Sequence, residues 1–210
     1  MRKAVWMSML LAACQHDVST PFPAGLEPLE DNPVPVLEGG DRLETLVTQA
    51  DDSGFIHIYG RGYALAPPGV VYAGTKNPQV MVALCSTNQQ LITPDNDPGY
   101  EFSFLVHYVV NDVLTVEWDD QWRYGTIDGT VDDPTLAMIK HQKIQGSSFI
   151  TTSEGTVEIT ATDDPNVTEL AFVEHLDSAG GSDSDVIKGM QHNYASIVAA
   201  AHGNPIPPCP

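Results

Sequence analysis

From Gly54 onward apolar and polar residues alternate along much of the chain, the pattern of strands with one buried face. Phe55, Ile56, Ile58 and Tyr63 mark a first strand, in which Gly60 and Gly62 permit a bulge or a close backbone approach. Antiparallel strands are predicted from about Met81 to Leu176. In one of them Tyr100, Phe102, Phe104, Val106, Tyr108 and Val110 share a face, against Glu101, Ser103 and His107 on the other. Asn111 and Asp112 form a tight turn, and Leu114, Val116 and Trp118 carry the apolar face back. Later strands fall at 136–143, at 149–159 with Gly155 as a kink, and at 168–176, the last two parted by the breakers Asp163, Asp164, Pro165 and Asn166.

Helical spacing replaces alternation in two places. Ala66 to Ala73 begins with Pro67 and Pro68, whose fixed φ suits a helix start, and a second turn begins near Pro78. At the other end Ile187, Met190, Tyr194, Ile197, Val198 and Ala201 recur every three or four residues, after Asp183 or Asp185 as N-cap and before Gly203 and Pro205 as stops. This amphipathic helix must bury its stripe, and the sheet is the one partner large enough.

Residues 14–40 are rich in proline and acids and lack a periodic apolar face, so they read as a tether. Residues 41–53 read as a short helix or linker, from Leu43, Leu46 and Val47 at helical spacing. Before them Met1, Arg2 and Lys3 precede an apolar run to Leu11, a secretory pattern too short for the ~30 Å hydrocarbon core of a bilayer. The run closes on Leu11, Ala12, Ala13 and Cys14, which resembles the lipobox of bacterial lipoproteins. That resemblance implies a signal peptide over residues 1–13 and acyl chains on Cys14 that hold the protein on a membrane. Gln15 in second position implies the outer membrane, hence a cell-envelope location.

Loss of Arg2 and Lys3 with the leader takes the formal charge from −19 to −21. Such a chain will not bind nucleic acid or anionic headgroups through its field, and nucleic acid is not expected as a partner. Cys85 and Cys209 remain as a disulfide candidate that ties the tail, residues 204–210, to the domain.

The order of elements over residues 54–203 resembles START-like (SRPBCC, polyketide-cyclase-like) domains. The matching stretches are Ala66 to Tyr72, Gly155–Thr156, Thr168–Leu170 and the closing helix. The resemblance implies an α+β helix-grip fold: a curved antiparallel sheet of six to seven strands wrapped on a long C-terminal helix, with short helices after the first strand. It also implies a cavity between sheet and helix for a hydrophobic small molecule or lipid, with Phe102, Phe104, Tyr108, Trp118, Met138, Phe172, Glu174, Met190 and Tyr194 as lining, and the loop from Pro94 to Gly99 as part of a gate. The alternatives are a cyclase, aromatase or hydrolase with Glu174, His141 or Tyr108 as acid–base groups, and a structural lipoprotein with a filled core. No cofactor is expected. The seven histidines show no metal-ligand spacing, and the oxygen cluster at Asp95 to Gly99 lacks that of a calcium loop, so no metal site is expected either.

Overall fold

The computed structural model describes residues 17–51, 55–82, 87–111 and 114–209. Among these residues eight strands form one antiparallel sheet: β1 (Leu46–Asp51), β2 (Ile56–Ala64), β3 (Gln89–Asp95), β4 (Phe102–Asn111), β5 (Thr115–Gly129), β6 (Pro134–Gly146), β7 (Ile150–Ala161) and β8 (Thr168–Ser178). Their order is β1-β2-β8-β7-β6-β5-β4-β3. Helices α1 (Pro68–Thr75) and α2 (Pro78–Met81) follow β2, and α3 (Asp183–Ala201) closes the chain. Pro68 opens α1 and Pro78 opens α2, as their missing N–H allows. The N-cap of α3 is Ser182, one residue before the expected aspartates, and its side chain accepts from Asp185 N.

The extra strand is β1. Leu46 and Thr48 are half-buried and alternate with exposed Val47 and Gln49, so the period is two. Three apolar residues at 43, 46 and 47 fit either period, and pairing with β2 from Leu46↔Gly62 to Asp51↔His57 decides it by satisfying the backbone.

The concave face carries the main core, including Ile58, Phe104, Val106, Tyr124, Ile139, Val157, Leu170 and Phe172 under Met190, Tyr194 and Ile197 of α3. Gly60 and Gly62 explain how close α3 lies. A Cβ on Gly62 would stand 2.7 Å from Tyr194 Cε2 and 2.9 Å from Thr45 O, and one on Gly60 would strike Met190 Sδ. Without those side chains Tyr194 reaches the sheet and donates its hydroxyl to Tyr63 O at 2.6 Å.

The stretch read as a tether is a strap. Residues 17–37 run along the convex face, beginning with a bridge between Asp17 and Ser147 and backbone bonds from Val18 N to Gly146 O and Thr20 N to Ile144 O. Prolines leave the strap few intrinsic hydrogen bonds, and long polar side chains of the sheet supply them. Arg61 Nε donates to Val34 O at 2.7 Å, Gln142 Nε2 to Pro21 O at 2.9 Å and Lys140 Nζ to Glu27 O at 3.3 Å. Val34 and Leu29 pack with Tyr59 and Val173 in a second small core.

Met138 belongs to this side. It alternates with Ile139 of the concave core and pairs with Gly125, where a Cβ would run into Leu26 of the strap at 2.6 Å. It is therefore removed from the lining of the concave face. Cys14 and the lipobox lie outside the described residues, as does Cys85. Cys209 is disulfide-bonded.

Candidate functional site

Three adjacent strands place one row of residues across the concave face: His141 on β6, Gly155 on β7 and Glu174 on β8, paired in that register. Side chains two strands apart cannot normally meet, because the strand between them fills the gap. Here the middle residue has none. The imidazole reaches over Gly155, and Nε2 lies 3.0 Å from Glu174 Oε2 and 3.2 Å from Oε1. The kink expected at Gly155 is thus a notch.

Asp120 on β5 completes the group, with Oδ2 3.9 Å from His141 Nδ1. Trp122 stacks on the His141 ring at 4.3 Å and on Phe104 at 5.7 Å, while Tyr108 stacks on Trp118 at 5.0 Å. Every one of these rings is buried. Lys143, paired with Asp120 in register, is buried as well and donates Nζ to Ser147 O at 2.9 Å.

Burial decides the electrostatics. It pushes the Asp120 carboxyl up to about 7, against the opposing pull of the nearby His141 ring. Burial works against a charged His141 too, but Glu174, Asp120 and Glu154 together outweigh it and hold the imidazole above its ordinary value. Burial also pulls the Lys143 ammonium below its usual range. This face therefore sets an imidazole of raised proton affinity beside a carboxyl that titrates close to neutrality, a set that can store or pass a proton.

Trp118 Nε1, Trp122 Nε1, Asp120 Oδ1 and His141 Nδ1 are buried without a hydrogen bond of standard geometry, although the Trp118 indole faces Asp120 and the Trp122 indole faces Tyr108. Buried polar atoms in native proteins are almost always paired. Four so loosely paired on one face leave it hydrogen-bonding capacity that a guest's polar end can use. Asn193 Oδ1 and Ser196 Oγ on α3 share that condition.

The fold is α+β, an antiparallel sheet with the long helix α3 over its concave face. No family model and no curated protein matches the chain. Among solved structures it is similar to a START superfamily protein from Mycobacterium smegmatis, with 11% identity, 71% of this chain and 99% of that one covered, and a TM-score of 0.49. It is also similar to the Zhui aromatase/cyclase from Streptomyces sp. R1128, at 12% identity, 71% and 92% coverage and a TM-score of 0.46. A third is the human StarD13 lipid transfer and protein localization domain, at 14% identity, 78% and 90% coverage and a TM-score of 0.45.

Of the expected lining, Phe102, Phe104, Tyr108, Trp118, Phe172, Glu174, Met190 and Tyr194 share the concave side. Met190 and Tyr194 lie over the two glycines of β2, so α3 is seated on the sheet there. The acid–base candidates Glu174, His141 and Tyr108 converge on the same face, whereas His175 and His107 point to the convex one, where His107 Nδ1 is 2.7 Å from Asp119. The loop after Pro94 is fastened to the convex side: Gln121 Nε2 donates to Asp95 Oδ2 at 2.7 Å and Arg123 lies 3.5 Å from Asp97. It borders a convex cavity of about 590 Å³ shared with Phe22, Tyr100 and Arg123. Asp120, Trp122 and Lys143 were not anticipated. The signal for the first two was present, since Trp118, Asp120, Trp122 and Tyr124 continue one alternation with a carboxylate among aromatics.

Proposed function

We propose that this chain is a lipid-anchored helix-grip domain that holds a hydrophobic small molecule or lipid against the concave face of its sheet. The polar end of the guest meets Asp120, His141 and the two indole N–H groups, and its apolar part lies along Phe104, Tyr108 and Trp118. The observation that carries this reading is the row of buried Asp120 and His141 with half-buried Glu174 in a mainly apolar face. Two buried ionisable groups and a half-buried third add little to stability that apolar residues of equal volume would not, which favours a role in binding or chemistry.

The anchor is Cys14, at the outer membrane. Two residues, Gln15 and His16, separate it from docked Asp17, and three steps of at most about 3.6 Å each hold the acyl attachment within about 11 Å of that bridge. This favours an orientation with the turn after β6 toward the bilayer. Exposed Phe55 and Leu114 lie at the same end of the sheet.

Trp118 and Trp122 are the only tryptophans besides Trp6, so intrinsic fluorescence of a chain carrying Trp6→Phe and Cys14→Ser reports this face directly. Titration with a long-chain fatty acid is expected to give a saturable change, and His141→Phe to weaken the affinity about tenfold, the worth of one charge-assisted hydrogen bond. A linear, unsaturable response would count against the reading.

A second reading, acid–base catalysis of the cyclase, aromatase or hydrolase kind, is favoured by one observation: the His141–Glu174 pair lies within hydrogen-bond reach beside a carboxyl poised near 7. A guest recovered chemically unchanged after incubation supports binding, and a converted one supports catalysis.

A further inference from the structure

The convex face carries a second cluster of titratable groups, distinct from the first. His57 on β2 and His175 on β8 are direct partners across the sheet, and their rings stack at 4.0 Å with an 18° interplanar angle. The strap brings Glu30 to them, with Oε1 2.8 Å from His175 Nε2 and 3.6 Å from His57 Nδ1. All three donor atoms lie within 4.8 Å of one another.

We propose that Glu30, His57 and His175 form a binding site for a divalent transition ion of the zinc class. Zinc bonds of about 2.0–2.1 Å in tetrahedral geometry set donor atoms roughly 3.3 Å apart, and the two distances from Glu30 bracket that value. The supporting shell is in place. His175 Nδ1 faces Glu154 Oε1 at 3.2 Å, which fixes the ring with Nε2 toward the site, and Tyr59 donates its hydroxyl to Glu30 Oε1 at 2.7 Å. A cavity of about 270 Å³ adjoins the two histidines, bordered by Phe55, Thr151, Glu154 and Asp177, with room for a fourth ligand.

A simple strap clasp needs one histidine against Glu30. The second nitrogen donor aimed at the same oxygen, and the carboxylate behind His175, are what a cation site needs and a clasp does not. The chain's formal charge of −19 also raises the local concentration of cations. Parallel rings have parallel lone pairs, so binding must turn the half-exposed His57 ring out of the stack. One ligand comes from the strap and two from the sheet, and the ion therefore pins residue 30 to the β2–β8 pair.

The test is titration of the metal-stripped full chain, Cys14→Ser, with Co²⁺ alone, read by its visible ligand-field bands, and with Zn²⁺ in competition. One equivalent is expected to bind, with slowed amide exchange across residues 28–34. His57→Phe keeps a stacked ring but removes a donor, and is expected to weaken Co²⁺ at least about 100-fold, more than loss of a supporting residue does. Glu30→Gln is expected to weaken it similarly, and His107→Gln, on another convex pair, to leave it unchanged. Absence of a saturable band, or a band unaffected by both His57→Phe and Glu30→Gln, overturns the site.

Discussion

Gly155→Ala is expected to destabilise the protein by about 3 kcal/mol and to weaken the fatty-acid response at least tenfold. A Cβ at this position would stand 2.5 Å from Glu174 Cδ and closer still to His141 Nε2. No ordinary glycine argument applies, because Gly155 is not among the residues with positive φ. Alanine would even favour the strand by up to roughly 1 kcal/mol through lower backbone entropy in the unfolded chain. Against that stand overpacking, about 1–3 kcal/mol, and separation of a partly buried pair, at most about 3–5 kcal/mol, the cost when one partner of a fully buried pair is lost outright. The steric and electrostatic terms win. Urea unfolding measures the difference, and a double-mutant cycle with Glu174→Ala isolates it: with the carboxylate gone, the alanine at 155 is expected to cost about 1 kcal/mol or less. Equal costs in both backgrounds would show that the notch does not serve the pair.

The second large effect is a loss of stability as pH rises through neutrality. Asp120 holds its proton up to about 7 in the folded state against an ordinary 3.8, so its contribution is complete below 3.8 and lost as pH rises through 7. His141 is also raised, so its contribution is present below 6.5 and lost as pH rises through its folded value. Both act in the same direction. Glu30, Glu101 and Glu154 are lowered from 4.5 and act in the other, their contributions being lost on acidification. Maximal stability is therefore expected between about 4.5 and 6.5, below the neutral optimum of many domains. The full Asp120 shift corresponds to a ceiling of about 4 kcal/mol at 1.36 kcal/mol per unit, and about 2 kcal/mol is expected once the coupling to His141 is discounted. Asp120→Asn should be more stable than the parent at pH 8 by that amount and should flatten the profile. Parallel profiles for the two proteins would place the pH dependence elsewhere.

The strands and helices of this fold were legible where apolar residues repeat. β4 announces itself through Phe102 to Val110, and α3 through Ile187 to Ala201, because each buries one face and leaves the other wet. β1 was not legible, since an edge strand with one half-buried side offers too few apolar positions to fix a period. The strap was invisible for a related reason. It is held mainly by carbonyl oxygens, which every residue has, and by side chains of Arg61, Lys140 and Gln142 that read as surface polar residues in their own strands. Met138 sat in a run, Ala137 to Ile139, with no polar residue to mark the faces.

The site was half legible. Glu174 follows Phe172 by two residues, so strand parity alone puts it inside. That His141 meets it depends on Gly155 standing between them, a coincidence of register across three strands that no local pattern records. The convex histidines are separated by 118 positions and share only a cross-strand pairing, which is why a search by spacing passes over them.

The account rests on the row Asp120, His141 and Glu174 existing for a guest. Native mass spectrometry of the Cys14→Ser chain purified without organic solvent, beside an Asp120→Leu, His141→Phe, Glu174→Leu triple variant, tests this most directly. The parent is expected to carry an extractable apolar molecule with a polar end, and the triple variant to be folded, at least as stable, and empty. A parent without any such molecule that also fails to bind added fatty acid, or a triple variant that retains the same cargo, would contradict that expectation.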